Sequence, residues 1–356
     1  LTYYYKKVNN HWCFMKQTYA MIGVLAIVSL TAAISFSSLD NENKPDKEMT
    51  AVATFYPFHQ IASNVAGDTR EVETLVPYGA EPHSYNPSPG DIAKASNSEL
   101  FIATGASLGE WEDRILEEVS EDRTVDASTG ITLIDAENKH EHDHGSHENE
   151  EEGHHEEGHE EHENNSHQEE GHNEEKSHGH NHGQLGKDPH YWVSPKNAIT
   201  ITETVRDSFI EADRENAKAY RENSEEYIQR LEKLDSDYEE RLSNCKKERI
   251  LTTHAAFAYL AEDYGFKQVP ILGLSPVSEP TPKQIEELVH KAEEHEIDYV
   301  FYETLTDTRV SETIAEEADA ETLVLDPAAG TKEGKTYIEI MEDNLDNLEV
   351  AMECQP

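Results

Sequence analysis

"ADRENAKAYRENSEEYIQRLEKLDSDYEERLSN", residues 212–244, decides how this chain is put together. Tyr220, Asn223, Tyr227, Leu231, Leu234, Tyr238 and Leu242 recur in it at steps of three and four. That spacing lines them along one face and predicts a single long amphipathic helix. Roughly thirty residues at ~1.5 Å each would run ~45 Å, enough to cross two domains, and such a rod makes a poor flexible hinge.

On either side of the rod, apolar strand-like runs alternate with amphipathic ones. Before it, "TAVATFY" reads as a strand and "PFHQIASNVAGD" as a helix closed by Gly67; strand-like "EVETLV" and "ELFIAT" come next, separated by the loop "PYGAEPHSYNPSPGD" and the helix "IAKASN". After residue 244 come "RILTT", the helix "AAFAYLAEDYG", "KQVPIL", the helix "PKQIEELVHKAEEHE", "DYVFYE", the helix "RVSETIAEEAD", "TLVLD" and a closing helix near 334–350. Such alternation predicts an α/β fold: two similar lobes, each a mostly parallel sheet flanked by helices, joined by the long helix. The expected division is a leader and linker over 1–48, a first lobe over 49–207 carrying a His/Glu-rich insertion at 139–184, the linking helix over 208–244, and a second lobe over 245–356.

The chain is strongly acidic, with a formal net charge of −45. Residues 140–182 hold fifteen Asp/Glu against one Lys, so the folded remainder is acidic as well. That field repels nucleic acid and anionic lipid headgroups and concentrates divalent cations.

Thirteen of the 20 histidines fall in the same tract: His140, His142, His144, His147, His154, His155, His159, His162, His167, His172, His178, His180 and His182. Their Glu, Gly, Asn and Ser neighbours offer too little apolar surface to fold, and the tract is expected to stay disordered. Imidazole mixed with carboxylate suits a borderline transition metal better than calcium or magnesium. A flexible chain loses entropy on closing round an ion, so the tract should hold several ions loosely.

Cys13, Cys245 and Cys354 show no CxxC spacing, which argues against a thiolate zinc site or a redox pair. A disulfide between Cys245 and Cys354 is open to a chain outside the cytosol. Gln17–Leu39 is uncharged, with Lys6, Lys7 and Lys16 before it and Asp40 and Glu42 after it, a polarity that directs the downstream chain out of the cytosol. Two readings fit the run: an uncleaved membrane anchor, and a signal peptide cut near "TAAIS". No cysteine stands directly after it to carry a lipid.

A tighter metal site is expected from loops at the carboxyl ends of strands, where open α/β sheets place ligands. His254 comes directly after "RILTT", Asp326 directly after "TLVL", His83 lies in the Pro-rich loop after "EVETLV", and His190 lies in "KDPHYWVSP" where the tract ends. Three imidazoles and one carboxylate would complete a tetrahedral zinc site. His59, His290 and His295 read as structural or surface residues, Tyr191 and Trp192 as packing beside the site. Glu303 could orient a ligand or pair with Arg309.

In "GAEPHSYNPSP", "DPHYWVSP", "TTHAAFAYLAEDYG" and "VLDPAAG", taken in order over about 49–352, the chain resembles the ZnuA-type extracytoplasmic receptors of zinc and manganese ABC transporters. The resemblance implies His83, His190, His254 and Asp326 as ligands, two from each lobe, with the fourth position, Asp326 here, varying between carboxylate and water among zinc members. Manganese-type relatives tend to carry Glu where this chain has His254, and a third nitrogen favours zinc over the harder manganese. It also implies a permease and, through it, an ATPase as partners; a monomer is expected, with membrane contact through the N-terminal segment if that is uncleaved. Ligation by neutral imidazoles predicts that affinity falls below about pH 6. Three other readings remain: a manganese receptor, a metal-binding surface adhesin or buffer, and a zinc metallohydrolase, the last with no HExxH or comparable general-base motif accompanying His83, His190 and His254.

Overall fold

The computed structural model describes residues 50–106, 108–136, 186–276, 280–331 and 334–355. The apolar leader and the histidines from His140 to His182 lie outside the described residues.

The first lobe runs β1 (Ala51–Ala53), α1 (Tyr56–Ala66), β2 (Val72–Thr74), α2 (Pro89–Asn97), β3 (Leu100–Ala103), α3 (Glu110–Leu116), β4 (Thr124–Asp126) and α4 (Pro195–Ala212). After α5 (Ala217–Arg241), the second lobe runs β5 (Arg249–Thr252), α6 (Ala258–Tyr264), β6 (Lys267–Pro270), α7 (Pro282–Glu294), β7 (Tyr299–Tyr302), α8 (Arg309–Glu317), β8 (Glu321–Val324) and α9 (Tyr337–Ala351). Each lobe has a four-stranded parallel sheet, ordered β2-β1-β3-β4 in the first and β6-β5-β7-β8 in the second. The order reverses between β1 and β3, and again between β5 and β7, which opens a crevice at the carboxyl end of each sheet.

β4 and α3 do not stand out in the sequence. "TVD" has one buried apolar residue, Val125, and depends on pairing with β3 for its definition as a strand. The rod is also shorter than its periodicity predicts: α5 covers Ala217–Arg241, not 208–244, because the preceding helix α4 extends to Ala212. Asp213 leaves helical geometry at φ −140°, ψ 82°. Its carboxylate accepts from Asn216 Nδ2 at 2.7 Å and Tyr220 Oη at 2.8 Å, so the side chain captures donors just where the chain turns. At ~1.5 Å per residue α5 is ~37 Å long.

Tyr220, Tyr227, Leu231, Leu234 and Tyr238 are buried as the periodicity requires, and Ser224 replaces Asn223 on the buried face. Asn223 Nδ2 instead donates to Val65 O (3.1 Å) at the end of α1, close to Gly67, whose φ of +54° suits glycine. Tyr238 Oη donates to Met341 O (2.7 Å) in α9, so α5 is fastened to both lobes.

One hydrophobic core runs from the first sheet through α4 and α5 to α9 and one face of the second sheet; a smaller cluster lies on that sheet's other face. Adjacent residues divide between the two: Ile250 and Phe301 belong to the large core, Leu251 and Val300 to the small one. Strand side chains alternate faces, which is the cause of the division. A core shared between lobes leaves them little freedom to swing apart. A disulfide joins Cys245, just after α5, to Cys354, just after α9.

Candidate metal centre

His83 sits in a 3₁₀ turn, Pro82–Ser84. Pro82 presets the backbone, and the Glu81 carboxylate accepts from the N–H groups of His83 (3.1 Å) and Ser84 (2.8 Å), an N-terminal cap. Trp111 Nε1 at the start of α3 donates to Pro82 O (3.0 Å), and Leu108 makes a backbone hydrogen bond with the His83 ring.

His190 opens a second 3₁₀ turn, His190–Val193, and is buried. One carboxylate oxygen of Asp188 accepts both the His190 backbone N–H (2.9 Å) and its ring Nδ1–H (2.8 Å). His254 lies two residues beyond β5 and is buried as well. Its Nδ1–H donates to Glu303 Oε1 at 2.5 Å. Glu303 lies one residue past β7, and Arg309 pairs with Asp307, so of the two roles open to Glu303 the structure selects the orienting one.

The three ligand nitrogens lie within 4.8 Å of one another. His190 Nε2 is 3.1 Å from His83 Nε2 and 3.3 Å from His254 Nε2. With Nδ1 of His190 and His254 donating to carboxylates, both rings are in the tautomer whose Nε2 is a bare lone pair. Two such lone pairs gain nothing from each other at 3.3 Å. The spacing does match the edge of a tetrahedron with bonds of ~2.05 Å, which is ~3.3 Å. Carboxylate behind imidazole is the arrangement that fixes ring orientation and strengthens a histidine as a ligand.

Asp326 lines the same cavity but does not join the close trio. Both of its oxygens are engaged: Oδ2 accepts from the Thr304 hydroxyl, and Oδ1 from Ala328 N at 2.8 Å. Asn344 clamps its backbone on both sides, accepting from Asp326 N (2.8 Å) and donating to Asp326 O (2.6 Å).

Burial, with the imidazoles of His190 and His254 alongside, holds His83 well below the ordinary histidine range. Burial also lowers His190, against the opposing pull of Asp188. Burial first, then the charge of Glu303, pushes Asp326 up to about 6, although the bonds from Thr304 and Ala328 oppose it. Among the described residues the cavity lining carries Glu81, Glu303 and Asp326 but no Lys or Arg. Glu303 and Asp326 are buried with no cation in the lining beside them, which is costly, so a divalent ion would relieve the site electrostatically.

His59 stands apart. Its Nε2 meets Val72 O at 3.0 Å and its Nδ1 meets the Tyr78 hydroxyl at 2.8 Å, a structural role. Trp192 and Tyr191 pack beside the site; Trp192 Nε1 donates across to Pro327 O at 2.7 Å, one residue past Asp326. Asp188 does not stand out in the sequence as a functional residue, although the signal is present: an acidic residue two positions before the histidine of "DPH".

The sequence model described as "Zinc-uptake complex component A periplasmic", ZnuA, matches residues 51–351. The chain is 33% identical over 330 residues to the zinc-binding lipoprotein AdcA of Streptococcus pneumoniae, covering 90% of this chain and 59% of that protein. It thus spans about three-fifths of such relatives' length. It is 34% identical over 334 residues to the high-affinity zinc uptake system protein ZnuA of Bacillus subtilis, covering 91% of this chain and 94% of that one. The crystal structure of the Zn(II)-bound ZnuA-like domain of S. pneumoniae AdcA superposes with a TM-score of 0.64 at 30% identity, covering 86% of this chain and 99% of the domain. Sheets, interlobe helix and sequence relationship agree: this chain belongs to the ZnuA family.

Proposed function

We propose that this protein is an extracytoplasmic receptor for Zn²⁺, which captures the ion between its lobes and delivers it to a membrane permease driven by an ATPase. The observation that carries this reading is the trio of imidazole nitrogens within 4.8 Å of one another, with His190 at tetrahedral-edge spacing of 3.1 and 3.3 Å from the other two and two of the rings turned by buried carboxylates. His83, His190 and His254 supply three nitrogens; Asp326, on the cavity wall, is the fourth ligand in competition with water. Three nitrogens favour zinc over manganese. The naming of the AdcA and B. subtilis ZnuA relatives for zinc supports the same cargo.

Binding, not hydrolysis, is the favoured chemistry, because Asp188 and Glu303 each hold an imidazole N–H and no HExxH motif accompanies the three histidines. The shared core makes wide lobe opening costly, so release occurs when the permease loosens a ligand-bearing loop. The histidines from His140 to His182, which precede His190 in sequence, gather zinc for the site. The family's periplasmic description and the lipoprotein relatives support a place outside the cytoplasmic membrane. Among the described residues no helix is long and apolar enough to cross a membrane.

The test is native mass spectrometry of residues 49–356 with 140–182 deleted, offered zinc and manganese together under a competing chelator. One retained zinc, lost on His254→Ala with affinity down more than about a hundredfold, is the expected result, since ligand loss should exceed the effect of losing an orienting partner. Retention of no metal would remove the interlobe site from the mechanism.

A further inference from the structure

Tyr259 lies in α6, five residues after His254, and is 5% exposed. Its ring meets Tyr191 edge-on at 6.4 Å, and a phenylalanine would fill that space equally well. The hydroxyl is what needs explaining. It donates to Asp188 O at 2.7 Å and accepts from Ile134 N at 2.9 Å, so both partners are backbone groups of the first lobe.

Those partners are not arbitrary. The Asp188 carboxylate holds the ring and backbone of His190. Ile134 and Asp188 are themselves joined, Asp188 N donating to Ile134 O at 2.9 Å, and Ala136 N donates to Gly186 O at 2.7 Å. Asp135 and Lys187 form an antiparallel bridge between them. The chain leaves for the histidine tract and returns from it at this stem. One phenol thus ties three things together: the second-lobe segment that begins with His254, the residue that aims His190, and the stem of the tract.

We infer that Tyr259 is a positioning residue, whose hydroxyl keeps His190 in register with His254 across the lobes and so slows the escape of bound zinc. The inference rests on the zinc-receptor function proposed for this site. Without the hydroxyl, Ile134 N–H and Asp188 C=O lose a shared partner, and the Asp188 backbone is free to shift with the ring it orients. Tyr259 touches no metal, so the site still binds one ion, but holds it for less time.

The experiment is stopped-flow release of zinc from the full chain into excess chelator, for wild type, Tyr259→Phe, Asp188→Asn and the double variant, with His254→Ala as control. Tyr259→Phe should keep one slowly released zinc, apart from the ions the tract sheds at once, and release it about threefold to tenfold faster, at or below the range seen for partners of metal ligands. The double variant should be slower than the product of the two single effects, because both act through His190. A release rate within twofold of wild type, even with a lowered melting temperature of the zinc-free protein, would mean that the hydroxyl only supports the fold and would overturn the inference. Full additivity would overturn it as well. A readout on the wild type avoids dependence on the variants: the Ile134 amide should exchange with deuterium more slowly once zinc is bound, and equal rates would count against the coupling. If the slowly released zinc, as distinct from ions held loosely by the tract, survives His254→Ala, the receptor reading itself fails, a result distinct from an unaltered Tyr259→Phe.

Discussion

The two lobes share a sheet order yet hold their metal-site residues by different means. In the second lobe His254, Glu303 and Asp326 stand one or two residues beyond β5, β7 and β8, so the sheet itself sets their positions. In the first lobe His83 and His190 sit in 3₁₀ turns away from strand ends, each fastened by an acidic residue two positions earlier, Glu81 and Asp188. A strand end costs no further ordering, whereas a loop ligand must be tied down by hydrogen bonds that release can undo. If release follows the weaker tether, the first lobe is the side expected to open.

Stability should show the asymmetry most strongly. The disulfide between Cys245 and Cys354, 109 residues apart, closes the second lobe, and among the described residues the first has no counterpart. Cys354→Ser should lower unfolding free energy by about 2–4 kcal/mol in denaturant titrations. Zinc affinity should barely change, because the bond lies at the far ends of α5 and α9; a large affinity loss would mean that the second-lobe ligands depend on more than the sheet for their placement.

A smaller effect separates the two orienting carboxylates. Asp188→Asn should weaken zinc binding by about 10- to 100-fold, while Glu303→Gln should stay near about tenfold. Asp188 fixes both a ring and a backbone N–H, whereas Glu303 fixes a ring whose backbone the sheet already places. Equal losses in chelator competition would erase the distinction between loop-held and strand-held ligands.

The mildest effect is on pH. Burial, with neighbouring imidazoles, lowers His83, and burial lowers His190, so both stay neutral below the ~6.5 reference and proton competition with zinc begins at lower pH than an exposed histidine would give. For the zinc-free protein the sign is the same. Protons bind the unfolded chain first, so these histidines contribute stability above ~6.5 that is lost as pH falls toward their folded values. Zinc affinity measured from pH 7.5 to 5 should be level to about 6 and fall below it; a steep decline already above 6.5 would show first-lobe histidines that are solvated, not fastened.

Much of this was legible in residues alone. Three- and four-residue spacing from Tyr220 to Leu242 marks the rod, alternating runs mark two α/β lobes, and the "EPH", "DPH" and "TTH" segments mark the three histidines, because periodicity and motif are local properties. The start of the rod was not, since Asp213 breaks it by capturing Asn216 and Tyr220, a choice a helical pattern does not register. Nor was the assignment of Glu303 to His254 rather than to Arg309, the engagement of both Asp326 oxygens by Thr304 and Ala328, or the closing of Cys245 on Cys354. Each depends on distances between segments tens to more than a hundred residues apart or on which of several nearby partners a side chain meets. Only packing of the whole chain sets those distances, so residue types chose the chemistry and the tertiary structure chose the partners.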